Sequence, residues 1–303
     1  MKMITPFIVL FLFSSSLLFS QVAINNDGSP PDGSAMLDVK SSGKVLLTPR
    51  MTTSQMLAIS NPAAGLLVYN TSLNIICCFN GTSWDIVTHQ ARQGCGMISY
   101  GGQTYHTVII GLQCWMAENL NIGTMINGSQ DQADNGIVEK YCYNNDPANC
   151  EVYGGLYQWN ELMNYTPPGK SNPAGIQGIC PAGWHVPSDA EFCQMETYLD
   201  ATVNCGNSGS LGTTAGGKLK ETDISHWTTP NTGATNRSGF TALPGGRLSG
   251  GSFFNSTNFA FFWSASESSA GKGWHHDMTY NKAEVNRSGI NETNGYSARC
   301  CKD

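Results

Sequence analysis

CPAGWHVPSDAEFCQMETYL, residues Cys180–Leu199, is the stretch on which the reading of this chain turns. A cysteine leads into a turn at Pro181-Ala182-Gly183, and Trp184-His185-Val186 follows as a short apolar run. Ser188 stands three residues before Glu191, the spacing of a capping box. In that arrangement the hydroxyl accepts from the Glu191 backbone N–H, and the carboxylate reaches back to the Ser188 N–H. Phe192, Met195 and Leu199 then recur on one helical face. The pattern predicts a helix start fixed by its own side chains and docked on a sheet through that face.

Outward from this stretch the chain is glycine-punctuated. Towards the C-terminus, β segments are predicted at Gly239–Leu243, Gly245–Leu248, Phe259–Trp263, Trp274–Tyr280 and Tyr296–Cys300. Towards the N-terminus, Tyr153–Trp159 reads as the opening of a second helix, with Leu156, Trp159 and Met163 on one face, and the Pro167-Pro168 loop separates it from the first. Strands are predicted at Ile98–Tyr100 and Tyr105–Ile110 around a Gly101-Gly102 turn, after a linker at Gln90–Met97. The segment 21–92 reads as a β-rich head: a strand at Ala35–Val39, a helical turn at Thr53–Ile59 stopped by Asn61-Pro62, and paired strands Gly65–Asn70 and Ile75–Phe79. The Asn80-Gly81 turn leads to a last strand at Ser83–Val87. The head holds few large residues, so it is expected to lean on copies of itself in a homo-oligomer.

Charged residues make up only 13% of the 303-residue chain, and the net charge is −6 with no run of Lys or Arg. Nucleic acid is thereby set aside as a partner, since phosphate neutralisation needs a basic stripe. Lys2 precedes an apolar run from Ile4 to Leu12 that continues through Leu17, Leu18 and Phe19. Residues 1–20 are read as a secretory signal peptide cleaved near Ser20, rather than as a retained anchor, because Ser14-Ser15-Ser16 interrupts the run. No other stretch approaches the roughly 20 apolar residues that spanning a bilayer requires, so the mature chain is expected to have no transmembrane segment. Nor is a sorting tail recognisable at the C-terminus.

Eleven cysteines in an exported chain, with no C-x-x-C pair, read as disulfides rather than zinc ligands. Consecutive Cα atoms lie about 3.8 Å apart, too close for an easy bridge, so Cys77-Cys78 and Cys300-Cys301 should each look elsewhere, to opposite faces of a strand. Cys142 and Cys150 flank a five-residue turn and predict a local bridge. Cys193 with Cys205 would tie the capped helix to its exit loop, and Cys180 with Cys300 would staple its start to the last strand. The odd total leaves at least one thiol unpaired or paired between chains.

Two resemblances follow from these motifs. The run SAMLDVKSSGKVLLTPRMTTSQMLAISNPAAGLLVYNTSLN…FNGTSWDIV, over 34–87, resembles the head repeat of exported Bacteroidota surface proteins and tail-fibre-like proteins, which implies an oligomeric display element without catalysis. GLQCWMAENLNIG, YCYNND, YGGLYQWNE, ICPAGWHVPSDAEF, GFTALPGGRL, FWSASE and GYSARCCKD occur in the order of the Fibrobacter succinogenes major paralogous domain, and together cover 93–303. That resemblance implies an α+β, C-type-lectin-like fold similar to the formylglycine-generating enzymes: two helices packed on twisted antiparallel strands, stapled by disulfides. It names no activity.

Asp131, Asp134 and Asn135, with Asn144, Asn145 and Asp146, place acids and amides in loops that can offer calcium its six to eight oxygens, Asp131, Asp134, Asn144 and Asp146 being the foremost. Capping of their own turns is the alternative. The Glu-Pro-Asn and Trp-Asn-Asp signatures of calcium-dependent lectins are missing; Trp159-Asn160-Glu161 is the nearest approach. In His275-His276-Asp277 adjacent side chains face opposite ways, so a lone exposed histidine is expected rather than a metal pair, while His185 reads as a hydrogen-bonded core residue. Cys300-Cys301 is not placed like the copper-binding cysteines of the formylglycine-generating enzymes, so no catalytic residue is assigned. Trp227, Trp263 and Tyr280 read as core; Phe253, Phe254 and Asn255, in a Gly-Ser loop at Gly250–Asn258, and Trp274 are the candidate ligand-binding residues. The chain is thus expected to be a secreted or cell-surface, non-catalytic binding or adhesion protein that meets a glycan or a surface protein and needs no cofactor, with calcium as an option. The alternatives are a structural part of a surface assembly with a lectin-like tip and, third, an oxidase-like enzyme.

Overall fold

The computed structural model describes residues 21–73, 75–87, 95–167 and 175–303; the expected signal peptide lies outside them. The chain divides into two units, Met1–Pro49 and Arg50–Asp303. In the first, Val22–Ile24 pairs in parallel with Leu37–Val39. The second opens with a four-stranded sheet in the order Arg50–Met51, Leu67–Asn70, Ile75–Phe79, Trp84–Ile86. A five-residue helix, Thr53–Leu57, is fixed beside it by a Thr52/Gln55 capping box. Met56, Val68, Ile75, Cys77 and Trp84 form the core of this segment together with Ile109, so it leans on the following sheet.

That following sheet has four strands, in the order Trp184–His185, Cys301–Lys302, Gln113–Met116, Thr107–Ile110. It is buried on both sides. Along Gln113–Met116, Cys114 and Met116 enter one core cluster while Trp115 enters another, as period-2 alternation requires. The adjacent Cys300 and Cys301 divide between the same two clusters.

A six-stranded sheet forms the rest of the frame, ordered Leu156–Tyr157, Tyr296–Ser297, Phe259–Ser269, Lys272–Thr279, Val285–Asn291, Gly209–Leu211. All its pairings are antiparallel except that of Phe259–Ser269 with Tyr296–Ser297. The capped helix is Asp189–Leu199, with both halves of the Ser188/Glu191 box formed. Phe192 and Met195 are fully buried against Trp115, Phe262 and Met278, and Leu199 packs at the edge of that cluster.

The expected α+β, C-type-lectin-like arrangement of two helices on twisted strands is not what the chain forms. Strands dominate, in several small sheets, and Asp189–Leu199, at 11 residues, is the longest helix among the described residues. The second helix, expected to open at Tyr153–Trp159, is broken by glycine. Gly154 ends a helix at Pro147–Tyr153 with φ 77°, and a side chain there would strike Asn119 and the Leu120 carbonyl. Leu156–Tyr157 is then drawn into strand pairing with Tyr296–Ser297, which leaves only the single turn Trp159–Leu162 as helix. Gly239–Leu243 forms no strand, whereas Val285–Asn291 does.

Four disulfides close the fold. Cys142–Cys150, Cys193–Cys205 and Cys180–Cys300 are the three pairs the sequence pointed to, and Cys95–Cys114 is a fourth that it did not. Cys77, Cys78 and Cys301 remain free thiols.

Candidate functional site: a polar cavity on the six-stranded sheet

Strand alternation sorts the residues of the six-stranded sheet onto two faces. The pairings Phe259↔Thr279, Phe261↔Asp277 and Trp263↔His275 put those side chains on one face, with Asn286 and Ser288 across the next ladder. Ala260, Phe262, His276 and Met278 take the other face, under the capped helix.

The helix face carries a buried ionic network. His276 Nδ1 lies 2.7 Å from Glu196 Oε1 and its Nε2 3.2 Å from Asp189 Oδ1, while the ring stacks on Phe192 at 4.6 Å. Arg287 donates from Nε and Nη2 to the two Asp189 oxygens, both at 2.6 Å, and lies 3.6 Å over Trp274. Burial alone would lower the His276 pKa, but Glu196 and Asp189 raise it to about 9. Burial would likewise raise Asp189, yet His276 and Arg287 hold it at about 2. These groups clamp helix to sheet and leave one buried oxygen, Glu196 Oε2, without a partner.

The opposite face is different. It floors a cavity of about 540 Å³, lined by Arg247, Asn255, Phe259, Phe261, His275, Asp277, Asn286 and Tyr296 among others. Phe259, Phe261 and Tyr296 stack in series at 5.2 and 4.9 Å, giving an aromatic wall. The Arg247 guanidinium lies 5.6 Å from the Phe261 ring and 6.0 Å from that of Phe254. His275 Nε2 is 3.2 Å from Asp277 Oδ2, which also accepts from Asn286 Nδ2 at 2.6 Å. Three residues of this lining each keep one buried polar atom without a hydrogen-bond partner: Arg247 Nε, His275 Nδ1 and Tyr296 Oη. Burial pushes the Tyr296 phenol up to about 12 against the pull of the nearby Arg247 guanidinium. Buried polar groups are normally paired, and each orphan costs about 1–3 kcal/mol. All three belong to residues that line this one cavity.

The residues expected to bind a ligand are divided by the structure. Gly250–Asn258 is not an open loop, since Ser252–Phe254 pairs with Arg247–Ser249 in a hairpin. Asn255 lines the cavity. Phe254, 44% exposed, lies beside Arg247. Phe253 turns the other way, onto Tyr143 and the small cluster of Tyr141, Leu156 and Leu248. Trp274 sits on the helix face with Arg287. Trp227 and Trp263 are buried core. His275 and His276 do face opposite ways, but neither is the exposed histidine expected: they are 4% and 0% exposed, because Phe192 of the capped helix stacks on His276 while the rings of Phe261, Trp263 and Tyr296 surround His275. His185 is a hydrogen-bonded core residue, held by Glu191 and Asp303.

The calcium candidates occupy turns and make local bonds. Asp131 Oδ1 accepts from Gln158 Nε2 at 2.8 Å, and Asp146 caps the helix Pro147–Tyr153. Asn144 holds a positive φ, Asn145 Oδ1 accepts from the Gly128 N–H, and Asp134 is exposed. Asp131, Asp134 and Asp146 are not drawn into one carboxylate cluster.

Arg247, Phe261, Asn286 and Tyr296 of this lining are not among the residues expected from the sequence, and Asp277 is there only as part of a possible metal set. One signal was available: His275 and Asp277 are two apart on a predicted strand and therefore share a face.

Comparison with known families covers most of the chain. The phage tail like trimerisation region matches residues 23–99, which associates the N-terminal part with oligomerisation. The Fibrobacter succinogenes major domain matches residues 108–302. No curated protein and no solved structure matches significantly. Four disulfides fit an extracellular protein, and among the described residues no helix is long and apolar enough to cross a membrane. That match spans more than half of the chain, which therefore belongs to the Fibrobacter succinogenes major domain family.

Proposed function

We propose that this is an exported surface protein whose N-terminal region assembles copies of the chain and whose C-terminal domain holds a carbohydrate residue in the cavity on the six-stranded sheet, without catalysing a reaction. The observation that carries this reading is the trio of unpartnered buried polar atoms, Arg247 Nε, His275 Nδ1 and Tyr296 Oη, beside an aromatic wall. Sugar rings offer hydroxyls to such groups and an apolar face to aromatics. The cavity volume falls within the roughly 300–1,000 Å³ usual for small-ligand sites. Repetition of a weak sugar site in an oligomer would raise avidity without any new contact.

The reading requires no cofactor. Calcium at the Asp131–Asp134 and Asn144–Asp146 loops is a separate proposal, tested in the same experiment. The full chain would be applied to an array of neutral, acidic and N-acetylated glycans, in calcium and in EDTA. Binding in both conditions supports the cavity reading, and binding lost in EDTA brings calcium into it. Silence across the array in both conditions would leave the second reading, a structural component of a surface assembly, which the trimerisation-region match favours.

A further inference from the structure

A second cluster lies away from this cavity, at the start of the capped helix. His185, Glu191 and Cys301 are all buried, and one ligand-type atom of each lies within 4.8 Å of the others. The backbone brings them together. His185 and Cys301 stand directly opposite in the antiparallel pairing of Trp184–His185 with Cys301–Lys302, so their side chains share a face. Glu191 arrives from the third helical position of the Ser188 capping box.

Two of the three donors are also oriented from behind. Asp303 Oδ1 lies 2.7 Å from His185 Nδ1, which leaves Nε2 turned to Glu191 Oε1 at 2.8 Å. The other Glu191 oxygen, Oε2, accepts from the Ser188 N–H and Oγ, both at 2.8 Å, so Oε1 is the one left for the cluster. Cys301 is a spare thiol because its neighbour Cys300 is bonded to Cys180. A cavity of about 400 Å³, lined also by Gln113, Gln194 and Lys302, opens beside the three.

We propose that His185 Nε2, Glu191 Oε1 and Cys301 Sγ bind one zinc-type divalent ion, with a fourth position open to this cavity. A thiolate, an imidazole and a carboxylate suit a borderline-soft, four-coordinate ion. The carboxylate–histidine–metal relay through Asp303 is the usual way such an imidazole is held. On binding, the Sγ and Nε2 protons leave to solvent, and the two anionic ligands balance the ion's charge. The 2.8 Å His185–Glu191 hydrogen bond is replaced by two metal bonds, so the two side chains move slightly apart.

The test uses the full chain with its disulfides intact, stripped with EDTA and titrated with Co²⁺. One equivalent should give tetrahedral visible bands and a thiolate-to-cobalt charge-transfer band, both bleached by Zn²⁺. Cys301→Ser should abolish the charge-transfer band, and Cys77→Ser/Cys78→Ser should leave it unchanged. Asp303 is largely exposed, so Asp303→Asn tests the site without disturbing the core, and it should weaken Co²⁺ binding about 10- to 100-fold. A titration with no charge-transfer band, a band that disappears in Cys77→Ser/Cys78→Ser, or an Asp303→Asn affinity equal to that of the wild type would overturn the assignment.

Discussion

Replacing His276 and Glu196 together by glutamine should flatten the alkaline side of the stability profile. His276 is fully buried, and its folded pKa of about 9 stands against an ordinary 6.5. A cation whose pKa is raised by folding stabilises the fold fully below the unfolded value, and that contribution disappears as pH rises through the folded value. Here the window runs from 6.5 to about 9. At about 1.4 kcal/mol per tenfold change in proton affinity, the contribution is about 3 kcal/mol, falling with a slope of about one proton across the window. Asp189 acts at the other end. Its value is held at about 2 against 3.8, so its contribution is present above 3.8 and is lost as pH falls through about 2. In His276→Gln/Glu196→Gln both charges go, two amides can still hydrogen-bond, and the Asp189–Arg287 pair is untouched. Urea unfolding with the disulfides intact, from about pH 6 to about pH 10, should show the wild type losing about 3 kcal/mol more than the variant. Parallel profiles would refute the ionic account of this network.

Three further substitutions probe the frame. Cys180→Ala/Cys300→Ala opens a loop of 120 residues and should lower stability by about 4–5 kcal/mol in denaturant unfolding, on the chain-entropy estimate. Ser188→Ala removes the cap that also anchors Glu191, and should lower it by about 1–2 kcal/mol in the same assay. Gly217→Ala, in the helix Ala215–Leu219, reverses the usual preference of helices for alanine, because the new Cβ would meet the Gly233 backbone; thermal unfolding should show a loss of about 1–3 kcal/mol instead of a gain.

The parts of this fold that could be read in the sequence are those fixed by neighbours. Ser188 and Glu191 are three residues apart, and their bonds need nothing beyond one helical turn. The opposed directions of Cys300 and Cys301, and of His275 and His276, follow from strand pleating alone. The burial of the two histidines did not follow, because it is set by residues distant in the chain: Phe192 of the capped helix lies on His276, and Phe261, Trp263 and Tyr296 surround His275. The second helix failed for a related reason. Leu156, Trp159 and Met163 have helical spacing, but Gly154 and the pairing partner Tyr296, far along the chain, override it. The cavity was the least legible feature. Arg247, His275 and Tyr296 lie on three strands and meet only through register. Phe253-Phe254 are paired aromatics in a polar stretch, yet hairpin alternation sends them to opposite sides.

The central claim is that the face bearing Arg247 and His275 is the binding face, and isothermal titration of the strongest glycan from the array tests it most directly. Arg247→Met should weaken binding by at least about 10-fold, as loss of a charge-assisted hydrogen bond implies, and Phe253→Ala, on the far side of the hairpin, should leave it unchanged. Equal affinity in Arg247→Met and the wild type, or loss confined to Phe253→Ala, would place the ligand elsewhere and contradict the account.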